Sequence, residues 1–277
     1  MAGTRRVRAT TRATVVAAAL ALLPMTAVPA VASAPAAPRA SAPSHTAVGA
    51  VLHGRVAAAA HAPAVPGARR YTRRIPAEVT QVVVVRAARW RSTTGTLTWW
   101  SRTSGGWRKV GSARARLGYG GLVVAAARVQ STGTTPAGLF TMTQTFGRQA
   151  DPGTAMPYTR LTDDHWWVQD RRSPYYNQMR LGSQGGFARR THGYNASEHL
   201  ARMGAQYDYV SVIDFNRPRP VIGRGSGIFL HAYGDRTTVG CVSIPRSSMR
   251  SLLRWMAPGA HPRIVIGKAR WLSGPPV

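Results

Sequence analysis

The chain contains one cysteine, Cys241, and the residues leading to it carry the densest chemistry of the sequence. The stretch reads Gly225-Ser-Gly-Ile-Phe-Leu-His-Ala-Tyr-Gly-Asp-Arg-Thr-Thr-Val-Gly-Cys-Val-Ser-Ile244. An apolar run delivers His231, a polar glycine-containing loop follows, and Gly240-Cys241 opens a second apolar segment. These residue types suit nucleophilic catalysis. A thiolate is the attacking species, so the cysteine needs a base or a positive field. His231 is the histidine nearest to it in sequence, and the loop from Ala232 to Gly240 is long enough to bring the two together. Gly240 leaves room beside the nucleophile, the amides of Gly240 and Cys241 are candidate oxyanion donors, and Arg236 adds positive potential. On residue types alone, a structural reading stays open. A lone cysteine also packs as a small buried hydrophobe, and a histidine at a strand end is often structural.

Positioning these groups requires β-structure. Thr80–Arg86 is rich in β-branched residues and predicts a strand. Thr96–Ser101 and Trp107–Val110 flank Ser104-Gly105-Gly106, a hairpin-like turn, and Leu117–Gly121 is a second glycine turn. Leu122–Arg128 suits either strand or helix. Tyr207–Phe215 alternates and predicts the clearest strand of the second half. Gly227–His231 and Pro262–Gly267 read as buried strands. Helical signal is confined to a segment capped by Ser247, with Met249, Leu252, Leu253 and Met256 at helical spacing, and to Ser197–Met203, closed by Gly204. The expected fold class is mainly β, a β-sandwich or open-barrel-like domain with a few short helices.

With these elements in hand, Thr238-Val239-Gly240-Cys241-Val242 and its upstream strand-end histidine resemble the signature of the L,D-transpeptidase (YkuD-type) catalytic domain. That signature commonly reads Ser/Thr-His-Gly-Cys followed by Ile or Val. Thr135-Pro-Ala-Gly-Leu-Phe140 resembles the same family's Thr-Pro-x-Gly-x-Phe segment. The turn at 117–121 lies where the family places a glycine-rich turn. Tyr175-Tyr-Asn177 and Ser197-Glu-His-Leu200 are similar to a divergent actinobacterial branch, and the resemblance spans about residues 79–268. It implies Cys241 as the acylated nucleophile, His231 as base, Gly240 with the Cys241 amide as oxyanion hole, and Thr238 as the Ser/Thr of the signature. Ala232 stands where the family has Gly or Ser, its carbonyl orienting the imidazole. Val239 replaces the usual second histidine, Ser243 the usual Arg or Asn, and the loop between base and nucleophile is shorter than is typical.

The implied reaction is acyl transfer on peptidoglycan stem peptides through a thioester, with no cofactor. Thr238, Ala232, Tyr176, Asn177, His199 and Arg236 are the expected substrate-binding residues. Tyr175, Tyr176 and Asn177 would form a substrate lid or an ordinary ordered loop, and His199, beside Glu198, would bind substrate or polarise the site. His192, His199 and Asp208 lack a recognised ligand spacing, so no metal is expected. Two further readings remain open: a carboxypeptidase or peptidoglycan hydrolase on the same fold, and a non-catalytic wall-binding protein.

Charge bounds the setting. Across 277 residues, 37 basic side chains face 9 acidic ones, a formal net charge of +28. Such a chain favours polyanionic partners: nucleic acid, anionic cell-wall polymers or acidic headgroups. The N-terminus separates these. Arg5, Arg6, Arg8 and Arg12 precede an uncharged run from Ala13 to Val28, and Ala30-Val31-Ala32 and Ala32-Ser33-Ala34 offer small-residue cleavage sites. The expectation is a secretory signal peptide over 1–34, an Ala/Pro-rich linker over 35–70 and a catalytic domain over 71–277. The protein would then be exported and wall-associated, with no stable membrane insertion after cleavage and no nucleic-acid partner.

Overall fold

The computed structural model describes residues 75–234 and 236–272. The expected signal segment and linker lie outside the described residues. The frame is a mixed sheet of 11 strands and a small sheet of 3. In chain order the strands are β1 (Gln81–Ala87), β2 (Thr94–Thr103), β3 (Gly106–Arg116), β4 (Leu122–Val124), β5 (Thr135–Thr141), β6 (Thr145–Gly147) and β7 (Tyr158–Arg160). They continue as β8 (His165–Trp167), β9 (Met179–Leu181), β10 (Glu198–His199), β11 (Val210–Val212), β12 (Phe229–Ala232), β13 (Val242–Ile244) and β14 (Arg263–Lys268). The large sheet runs β4-β5-β14-β1-β2-β3-β13-β12-β11-β6-β7, and the small one β10-β8-β9.

β1 lies parallel to β14 and antiparallel to β2, and all four of its valines are fully buried. A strand covered on both faces needs such an unbroken apolar run rather than alternation. Val83 and Val85 meet one core with Leu230, Val242, Ile244 and the helix α1 (Arg246–Trp255), whereas Val82 and Val84 pack with Val265 and Leu272 on the other face. Met249, Leu252, Leu253 and Met256 are completely buried, each stabilising the domain by roughly 1.5–3 kcal/mol.

β12 alternates in the manner that builds the site. Leu230 points to the α1 side, while Phe229 joins a second core with Phe146, Trp167, Tyr207, Val210, Val212 and Cys241. The period of two in a strand puts His231 on the same face as Phe229, and the Tyr207 ring lies 5.4 Å from the imidazole. The small sheet covers this face: the Trp167 ring meets Phe229 edge-on at 4.8 Å.

The mainly-β expectation holds, with differences in detail. Residues 122–128 resolve as both alternatives in turn, a short strand followed by a 3-10 turn at Ala125–Ala127. The strand foreseen over 207–215 is only Val210–Val212, because a 3-10 turn at Ala205–Tyr207 precedes it and Phe215 lies past its end. Ser197–Met203 is not a helix. Glu198 and His199 pair with Trp167 and Trp166 as β10, and only Leu200–Arg202 coils. α1 begins one residue before the expected cap: Pro245 occupies the N-cap and Ser247 is an exposed residue inside the helix.

Candidate active site

Cys241 immediately precedes β13, which runs parallel to β12 with Leu230 opposite Val242 and His231 opposite Ser243. The thiol therefore sits beside Phe229. Its Sγ accepts the Phe229 amide at 3.4 Å and donates to the Gly227 carbonyl at 3.4 Å. His231 and Cys241 line one cleft of about 390 Å³, together with Glu198, Met203, Gln206, Tyr207, Gly234, Arg236, Thr237, Thr238 and Val239.

The imidazole is oriented by backbone. Nδ1 lies 2.6 Å from the Ala232 carbonyl. A carbonyl only accepts, so Nδ1 carries the hydrogen and Nε2 keeps the lone pair. Burial pushes His231 down to about 4, opposed by the carbonyls of Ala232 and Gln206, which favour the protonated ring. Burial pushes the Cys241 thiol up to about 12. The charge of Glu198 adds to that shift, while the Phe229 amide and the Arg128 guanidinium oppose it. The resting site therefore holds a neutral thiol beside a neutral imidazole. Arg128 is itself buried, donating to the carbonyls of Thr134 and Arg224 at 2.9 and 3.0 Å.

Three segments far apart in sequence converge on Cys241. Thr238 Oγ1 donates to the Cys241 carbonyl at 2.6 Å and accepts the Gly240 amide at 3.2 Å. Thr135 Oγ1, which opens the Thr-Pro-Ala-Gly segment, contacts the same carbonyl at 3.4 Å and accepts the Gly118 amide. The glycine turn closes the set, with Tyr119 N–H donating to the Thr238 carbonyl and Thr238 N–H to that of Leu117. Gly240 is required here. Its φ is +129°, and a Cβ would sit 2.9 Å from both Arg128 Nη2 and the Thr134 carbonyl.

The residues expected to bind substrate divide into three groups. Arg236 is exposed and lines the cleft. Thr238 and Ala232 adjoin it, but the Thr238 hydroxyl is taken up inside the turn and Ala232 contributes its carbonyl. Tyr176, Asn177 and His199 stand elsewhere. Tyr176 and Asn177 are 1% exposed, too deep for a lid. Asn177 is instead a buried clamp: its Oδ1 accepts from Trp167 Nε1 and from the Gly227 amide, and its Nδ2 donates to the carbonyls of Phe215 and Asn216. Through Gly227 it fixes the carbonyl that the thiol meets. His199 stacks on Trp166 at 4.3 Å and pairs with Asp163 at 3.2 Å, facing a separate hollow. Alternation along β10 explains this: Glu198 shares the Trp167 face and His199 the Trp166 face. Ser243 is fully buried with no hydrogen-bond partner for its hydroxyl, so it cannot take over the substrate contacts of an Arg or Asn.

Sequence reasoning did not single out Arg128, Gln169, Tyr207 or Glu198 for the site. Glu198 carried a weak signal, since acids are scarce and all but Glu78 fall between Asp151 and Asp235. Among the described residues, no group of three or more His, Cys, Asp or Glu side chains is placed to hold a metal ion.

Compared with known proteins, residues 81–266 match the family model described as YkuD, the L,D-transpeptidase catalytic domain. No curated protein matches the chain. Two solved structures are similar at 13% identity. One is Bd1075 of Bdellovibrio bacteriovorus, with TM-score 0.35, covering 70% of this chain and 50% of that one. The other is titled as the Ldtfm–avibactam carbamoyl enzyme, with TM-score 0.30, covering 69% of this chain and 49% of that one. The chain thus spans about half the length of each of these structures.

Proposed function

Because this chain belongs to the family of L,D-transpeptidase catalytic domains, we propose that it is a peptidoglycan L,D-transpeptidase in which Cys241 is the acylated nucleophile and His231 the general base. The observation that carries this reading is the shared cleft: a thiol and an imidazole whose Nδ1 is held by the Ala232 carbonyl, brought to one face by adjacent parallel strands.

In this mechanism, a donor stem peptide enters the cleft and its scissile carbonyl approaches Sγ. The S–H bond to Gly227 gives way and the proton passes to His231 Nε2, while the Phe229 amide and the buried Arg128 charge stabilise the developing thiolate. The Ala232 and Gln206 carbonyls stabilise the imidazolium. Sulfur bonds to carbon, the C–N bond breaks, and His231 returns the proton to the departing D-alanine amine. The Gly240 amide is engaged by Thr238, so the oxyanion donor of that pair is the Cys241 amide. An acceptor amine then resolves the thioester to a cross-link; water would resolve it to a tripeptide.

We also read the protein as exported and held at the wall by its +28 charge, in support of which stand the basic, apolar, small-residue order of positions 5–34 and the family's substrate. The function is tested by incubating the chain with a tetrapeptide stem, with and without an acceptor amine, and identifying products by mass spectrometry. A donor–acceptor amide that Cys241→Ala does not form is the expected result. Tripeptide alone, in the presence of acceptor, would replace transpeptidation by carboxypeptidation.

A further inference from the structure

Glu198 is a carboxylate that the acylation step does not use and that works against it. Its Oε2 accepts from the Tyr207 hydroxyl at 2.9 Å and its Oε1 from Gln169 Nε2 at 2.8 Å. A Cβ on Gly227 would lie 3.6 Å from Oε1, and the carbonyl of that same glycine receives the Cys241 S–H. The carboxylate is therefore about one residue from the nucleophile, where negative charge opposes thiolate formation. It is the only acidic side chain among the described residues lining the cleft. Among the described residues, no Arg, Lys or His forms an ion pair with it. In a chain with 37 basic side chains, a half-buried carboxylate held only by neutral donors and facing a cleft is a site short of its cation.

Resting on the acyl-transfer reading above, we propose that Glu198 receives the ammonium group of the incoming acceptor and readies it as the amine that attacks the thioester. Once Cys241 is acylated the sulfur is uncharged, and the carboxylate no longer opposes anything. The acceptor arrives as R–NH3+ and pairs with Glu198. One proton passes to the carboxylate, leaving R–NH2 and a carboxylic acid. Nitrogen bonds to the thioester carbon, the C–S bond breaks, the second proton passes through His231 to the Cys241 sulfur, and Glu198 releases its proton to solvent. Burial already pushes the Glu198 carboxyl up to about 7, which suits a group that must take a proton and give it back. The proximity to Gly227 and Sγ favours the attacking amine over an ammonium on the donor's own side chain, which lies several bonds from the reacting carbon.

The experiment uses the full chain, wild type and Glu198→Gln, with a tetrapeptide donor and two acceptors at neutral pH. Glycinamide is offered mainly as an ammonium, and hydroxylamine mainly as an uncharged amine. In the variant, the ratio of glycinamide aminolysis to hydrolysis is expected to fall by about tenfold or more, the loss of one charge-assisted contact, with KM for glycinamide raised. Hydroxylamine capture and tripeptide release should persist, which also shows that the variant is folded. Glu198→Asp should give a smaller loss, again for glycinamide alone. Equal loss with both amines would overturn the proposal, since the role would then be structural. A raised KM for the donor with an unchanged aminolysis ratio would overturn it too, assigning the ammonium to the donor. A wild type that yields neither tripeptide nor an amide with either amine would bring down the acyl-transfer reading and this proposal together.

Discussion

At the scale of single residues, the site is a closed pair waiting for substrate. A thiol raised to about 12 and an imidazole lowered to about 4 cannot exchange a proton at rest, because burial disfavours both charged forms. Alkylation of free Cys241 by iodoacetamide should therefore be slow at neutral pH and climb without a plateau to about pH 10, since the thiolate is the reacting species. A plateau near neutrality would reveal a preformed thiolate–imidazolium pair. The sign for stability follows from the same values. A histidine depressed in the fold supports stability above its ordinary value of 6.5 and loses that support as pH falls through about 4. Cys241 and His231 were legible in the sequence because their types and order are chemical. Glu198 was not, because which of two neighbours faces the cleft depends on a strand pairing that residues 197–203 do not announce.

At the scale of elements, Cys241 is held by hydrogen bonds between segments that are each unremarkable alone. Thr135, Gly118 and Thr238 meet around the Cys241 backbone, which explains why the Thr-Pro-Ala-Gly segment and the Gly-Cys segment accompany one another. Asn177 performs the same service for Gly227, with four hydrogen bonds at 1% exposure. Asn177→Ala would leave buried partners unpaired, and a loss of about 2–4 kcal/mol is expected by denaturant or thermal unfolding. A change within about 0.5 kcal/mol would contradict the clamp. Strands with unbroken or alternating apolar residues, such as Gln81–Ala87 and Phe229–Ala232, declared themselves in the sequence. The short strand Glu198–His199 did not, because two residues carry no periodicity and their pairing with Trp166 and Trp167 is a tertiary event.

At the scale of the molecule, the sheet supplies rigidity, and the charge is what the proposed retention at the wall depends on. β12 and β13 lie inside the 11-stranded sheet, with α1 packed on one side and the small sheet on the other, so His231 and Cys241 are carried by strands with a core on each face. A net charge of +28 should retain the protein on isolated walls at low salt and release it as screening rises; retention unchanged in molar salt would contradict electrostatic anchoring. The mainly-β class was readable from β-branched content, but the joining of eleven strands into one mixed sheet was not, because β1 pairs with β14 across most of the domain. The proposed chemistry requires one covalent bond, a thioester at Cys241. Intact-mass measurement of the chain, acid-quenched during turnover of a tetrapeptide stem, tests it most directly. The expected result is an adduct equal to the stem less its terminal D-alanine on the wild type and none on Cys241→Ala. An adduct that survives in Cys241→Ala, or tripeptide release by that variant at the wild-type rate, would contradict it.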